Sequence, residues 1–132
     1  GGYLVTAYQA EDWVARGLPE NPITGVVSLS GVFDVTPLIK TSLNHGLRLD
    51  ERQAKALNLI TASPRSKAKL ALAVCEKESH EFHRQSSDLA KSWSSLKPQV
   101  LDVAKANHFT MVDSLATTGE VLNRLAVEMA GG

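Results

Sequence analysis

Apolar residues along this chain recur in two rhythms, one near helical and one short and continuous. From Gly2 to Arg16 the positions Leu4, Ala7, Tyr8 and Val14 keep near-helical spacing, and Gly17 followed by Pro19 supplies a stop, so a helix is predicted there. After a turn at Asn21 and Pro22, the run Ile23 to Leu29 is rich in β-branched residues and too short and apolar for a surface helix. It predicts a buried strand. From Val35 to Leu49 the pattern breaks around Pro37, Asn44 and Gly46, and "DERQAKALNLI" then opens a short helix with Asp50 as N-cap. This segment reads as an excursion that leaves the sheet and returns at "SPRS".

A second buried strand, Leu70 to Cys75, ends at the acidic pair Glu76 and Glu78. Ser79 is placed to cap a helix with Phe82, Ser86, Leu89, Ala90 and Trp93 on its inner face, ended by Pro98. "QVLDVAKAN" predicts a third short strand. Thr110 with Asp113 matches a capping box, and the closing helical stretch, with Val121, Leu122, Leu125 and Met129 on one side, has a break at Thr117 to Gly119. Strands alternating with helices imply right-handed crossovers, a parallel sheet covered on both faces and an α/β fold class. Three strands with apolar runs patterned for burial on both sides make an incomplete sheet with an unpaired edge.

Composition narrows the function classes. The 132 residues carry 14 Lys and Arg against 14 Asp and Glu. Such a balance gives no field that would gather nucleic acid or an anionic membrane, so neither is expected as a partner. No apolar run reaches the roughly 20 residues of a membrane span, the first residues lack a signal-peptide pattern, and Cys75 has no internal disulfide partner. A cytoplasmic location is the expectation.

In open parallel sheets, chemistry gathers at the carboxyl ends of strands. Glu78 stands three residues past the second strand, and His108 follows the third in "ANHFTMVD". Both therefore fall on one rim, where a carboxylate can orient an imidazole through its Nδ1 proton. Glu76 is the rival acid, two residues away. His80 and His83 share a helix face in "HEFH" but do not form H-E-x-x-H and have no third partner, so they read as a solvated face and no metal is expected. Ser28, Ser30 and Ser42 stand in no nucleophile motif and read as structural. Asp102 reads as a solvent-side or strand-end polar residue and Cys75 as a small buried hydrophobe.

"GGYL" at the start resembles the tail of the H-S-A-G-G-Y/H-L nucleophile elbow of α/β-hydrolases. "SLSGVFDVTPLIKTSLNHGLRLD", Ser63 with Pro64, "EKESHEFHRQSSDLAKSW" and "NHFTMVDSLA" are similar, in order, to segments of kynurenine formamidase (arylformamidase)-like α/β-hydrolases. The resemblance covers nearly the whole chain. It implies the C-terminal part of an α/β-hydrolase, a three-layer sandwich with an incomplete sheet, spanning 1–132 as one portion with a cap-like excursion at 35–62. It also implies hydrolysis of a small ester or formamide by a Ser-His-Glu triad without a cofactor. Glu78 takes the acid position, often Asp in the family, and His108 the base position. Gly1 and Gly2 are the remnant of the elbow, and the serine is expected two residues before Gly1. Val35, Leu38, Leu43 and Leu47 would line an acyl or aromatic pocket or serve ordinary packing.

A reading of another class is a non-catalytic fragment or interaction module. Such a chain would cover its open sheet edge with a missing N-terminal half, another polypeptide or a second copy of itself.

Overall fold

A computed structural model describes residues 1–131. Helix α1 (Gly2–Ala10) is followed by strand β1 (Gly25–Leu29). A wandering segment then carries a 3-10 turn at Thr36–Lys40 and short helices α2 (Asn44–Leu47) and α3 (Glu51–Ala56). Strand β2 (Lys69–Cys75), helix α4 (His80–Ser92), strand β3 (Gln99–Val103) and helices α5 (Met111–Ala116) and α6 (Val121–Met129) complete the order. The strands form one parallel sheet in the order β1-β2-β3, with Ser28 opposite Leu72 and Cys75 opposite Val103. No helix among the described residues is long and apolar enough to cross a membrane.

The central strand organises the interior. Every residue of β2 from Leu70 to Cys75 is buried, and the pleat sends alternate side chains to opposite faces. Leu70 and Leu72 join Val26, Phe33, Leu59, Leu89 and Trp93, with Tyr3, Val5 and Ala7 of α1 at the margin. Ala71, Ala73 and Cys75 join Val103, Met111, Leu122 and Leu125. Large side chains thus fill the α1 and α4 side, whereas small ones on β2 receive the bulky residues of α5 and α6 on the other.

Buried polar groups fasten the irregular segment to this core. Gln85, 1% exposed, accepts from the amides of Phe33 (2.8 Å) and Asp34 (2.7 Å) and donates to the Asp34 carbonyl (2.8 Å). The Trp93 indole donates to the carbonyls of Leu59 (3.1 Å) and Ala62 (2.8 Å), which holds the return limb before β2. Helix α3 starts at the predicted N-cap Asp50, and the structure adds a complete capping box with Gln53.

Several local expectations are corrected. Helix α1 ends at Ala10, not Arg16. The carbonyl of Gln9 receives the amides of Arg65 and Ser66, and the Trp13 indole takes the carbonyl of Tyr8, so tertiary partners satisfy the helix end early. Its buried residues are Thr6 and Gln9, while Leu4, Tyr8 and Val14 are exposed. β1 begins at Gly25 instead of Ile23, and only Val26 and Ser28 within it are fully buried. β3 is an exposed edge, with Val103 its one buried residue. Ser79 occupies the N-cap of α4, but its hydroxyl makes no capping bond. Thr110 does not form a capping box: Asn107 Oδ1 accepts from the Phe109 and Thr110 amides, and Thr110 Oγ1 accepts from the Asn107 amide. The break at Thr117 to Gly119 is present between α5 and α6.

The two opening glycines differ. A Cβ on Gly2 would lie 2.6 Å from the Leu29 carbonyl oxygen and 2.8 Å from the Gly31 Cα, whereas one on Gly1 meets nothing within 4 Å. Close approach of α1 to the end of β1 therefore demands glycine at residue 2 alone. Gly2→Ala is expected to lower stability by about 1–3 kcal/mol, and Gly1→Ala to stay within about 0.5 kcal/mol, as read from urea unfolding midpoints. Gln85→Ala strands the buried Phe33 amide and the half-buried Asp34 amide and is expected to cost about 2–4 kcal/mol in the same measurement.

Candidate active site

The carboxyl ends of the three strands converge on one carboxylate. Cys75 closes β2, and a tight turn brings the Glu78 amide to the Cys75 carbonyl at 3.0 Å, folding the Glu78 side chain back over the strand end. There its side chain is 4% exposed. Oε1 meets His108 Nδ1 at 2.7 Å, on the loop after β3. Oε2 accepts from Ser30 Oγ at 2.6 Å, immediately after β1, and from the Cys75 amide at 2.8 Å. All four contacts lie at the strand ends or on the loops that follow them.

Electrostatics follow from that arrangement. Burial pushes the Glu78 carboxyl upward, but donation from Ser30, the Cys75 amide and His108, with the His108 charge, outweighs it and holds the group below its ordinary value. Glu78 is accordingly an anion at neutral pH. The fully buried Cys75 thiol is pushed up to about 11 by desolvation and the neighbouring Glu78 charge, so it stays protonated and is a poor nucleophile.

His108 is held from several sides. The Asn107 turn sets its backbone, and its ring lies 5.7 Å from both Phe82 and Phe109, centroid to centroid. Its side chain remains 53% exposed. With Nδ1 facing a carboxylate, Nε2 is the free nitrogen, suited to accept and return a proton. His108 opens onto a cleft of about 330 Å³ lined by Gly1, Gly2, Val5, Leu29, Ser30 and Met111 among others. The start of α1 and the imidazole therefore share one cleft.

Other candidates lie apart. Glu76 is exposed, and its Oε2 accepts from the Lys105 amide at 3.2 Å, so it is not the carboxylate on His108. His83 Nδ1 is 3.4 Å from Asp102, whose side chain is 71% exposed. Ser28 donates to the Gly2 carbonyl at 3.0 Å and ties α1 to β1. Val35, Leu38, Leu43 and Leu47 do not line the cleft beside His108, and Leu43 and Leu47 are more than half exposed. Ser30 is the residue that motif reading missed. Its position one step past β1 is the signal that places it on the rim.

The depressed carboxyl makes stability depend on pH. Its ordinary value is 4.5 and the folded value is lower, so the pairing stabilises fully above about 4.5 and fades as pH falls through the folded value. Glu78→Gln is expected to remove that component. Its urea midpoint should fall less than that of the unaltered chain between about pH 7 and about pH 3.

No family model matches the chain. Kynurenine formamidases of Danio rerio and Salmo salar are each 27% identical to it over 139 residues, an alignment taking in 99% of the chain and 47% of each relative. A crystal structure of a protein provisionally named a thioesterase, from a Silicibacter species, superposes with a TM-score of 0.79 at 28% identity, over 92% of this chain and 45% of that one. The chain spans about half the length of the curated relatives it matches. It is a mixed α/β chain with a small parallel sheet, similar over its whole length to proteins named as hydrolases.

Proposed function

We propose that this chain is the C-terminal part of an α/β-hydrolase and supplies the base and the acid for serine-dependent hydrolysis of a small formamide or ester. Residues 1–132 form one portion of that domain, with 35–62 as a cap-like excursion, and strands beyond β1 continue the sheet into a three-layer sandwich. The observation that carries the reading is the 2.7 Å contact between Glu78 Oε1 and His108 Nδ1 beside the cleft that Gly1 and Gly2 line. The relatives' names support the formamide or ester class.

In this reading the serine stands two residues before Gly1, at the tight turn into α1. Its hydroxyl attacks the carbonyl carbon while His108 Nε2 takes the proton. The imidazolium so formed is stabilised by Glu78, which stays ionised. His108 then returns the proton to the leaving amine or alkoxide, and water repeats the sequence on the acyl-serine. Close contact of Gly2 with Leu29 and Gly31 supports a sharp entry into α1.

A second reading has its own observation: β1 has β2 on one side and no strand on the other among the described residues. An open parallel edge favours a module that pairs with another polypeptide or a second copy.

The two readings separate experimentally. A longer polypeptide with the serine in place is expected to react with a fluorophosphonate probe, while residues 1–132 alone do not. His108→Ala should lower kcat by about 10²- to 10⁴-fold and suppress labelling. Labelling that survives His108→Ala removes His108 as the base. Residues 1–132 sedimenting as a monomer with cooperative unfolding would dismiss the pairing module.

A further inference from the structure

We infer that Ser30 is a positioning residue for the proposed reaction: its hydroxyl fixes the Glu78 carboxylate so that Oε1 is presented to His108. This rests on the reading of Glu78 and His108 as acid and base.

The geometry separates the two oxygens of Glu78. Oε1 has His108 as its partner, whereas Oε2 has Ser30 Oγ at 2.6 Å and the Cys75 amide at 2.8 Å. A carboxylate can rotate about its last side-chain bond, and one donor on Oε2 leaves that rotation less restricted than two donors from different strands. The Cys75 amide belongs to the same turn as Glu78, three residues away, and follows it in any local shift. Ser30 stands just past the end of β1, 48 residues earlier. It is the contact that refers Glu78 to β1 and the cleft.

Ser30 holds this place against backbone preference. Its φ is 45°, in the left-handed region that strains an L residue and that glycine adopts freely. Its amide donates to the Ala73 carbonyl at 2.8 Å, so the backbone there needs no hydroxyl to stay in register. For the backbone conformation alone glycine would serve better. The hydroxyl is also 7% exposed with the rest of the residue and lies 3.0 Å from Met111 Sδ, which leaves the carboxylate as its strong acceptor. The direction of the Glu78 titration agrees, since donation from Ser30 is the largest of the influences that lower it.

The discriminating variant is Ser30→Gly, which relieves the strained backbone while removing the hydroxyl; Ser30→Ala keeps the Cβ and serves as a second. In the longer, serine-containing polypeptide, both are expected to lower kcat on the order of 10-fold with KM little changed. Both should raise the Glu78 carboxyl titration followed by ¹³C NMR, and both should keep a cooperative unfolding transition, with Ser30→Gly losing less stability than Ser30→Ala because it relieves the positive φ. An unchanged Glu78 titration and kcat in Ser30→Gly overturns the inference, as does a fall in kcat that only tracks lost folded protein. Glu78→Gln and His108→Ala run alongside. If those two keep full activity, the acid and base reading itself fails; if they lose it while Ser30→Gly keeps it, the positioning role alone fails.

Discussion

One buried charge holds the carboxyl ends of the sheet together. Glu78 lies almost wholly out of solvent and is bonded to the residue after β1, the last residue of β2 and the loop after β3. An ionised carboxylate in that position is costly unless its lone pairs are used, and here three donors use them. Alignment of the three strand ends is what brings those donors within reach. The same contacts that make the charge tolerable also aim it at His108.

The sheet beneath makes that alignment possible. β2 is buried along its length, and its alternation of large residues toward α1 and α4 with small ones toward α5 and α6 sets how near each helix comes. α1 presses closely enough on β1 that Gly2 admits no side chain, so the start of this helix sits in the cleft with His108. Gln85 and Trp93, both on or beside α4, hold the long segment between β1 and β2 by its backbone. Chemistry and scaffold therefore share elements: α4 anchors the excursion at its middle and presents Phe82 to the His108 ring at its start.

Much of the architecture was legible because local signals were strong. Short apolar runs marked all three strands, Asp50 marked the start of α3, and Gly119 marked the break before α6. Legibility failed where distant groups decided the outcome. The near-helical spacing that carries on to Val14 is cut at Ala10 by amides from Arg65 and Ser66. The face of α1 was misread because a polar pair, Thr6 and Gln9, is buried by contacts across the fold: Gln9 Nε2 donates to the Ala68 carbonyl, 59 residues on. β3 has a strand's composition, but nothing in its residues tells that it lies at an exposed edge.

For the rim, sequence position alone set Glu78 and His108 just past their strands, because the rule that loops leave a parallel sheet at the strand ends needs only the strand boundaries. It favoured Glu78 and left Glu76, two residues away, as a rival acid. Tertiary structure chose between them, turning Glu78 inward under Ser30 and His108 and leaving Glu76 outside on the Lys105 amide. The involvement of Ser30 was likewise beyond any local pattern, since a hydroxyl becomes a partner for a carboxylate 48 residues away only when two neighbouring strands end in register. Residue types and spacing determined which groups were available; the parallel register and the burial it creates decided which of them meet.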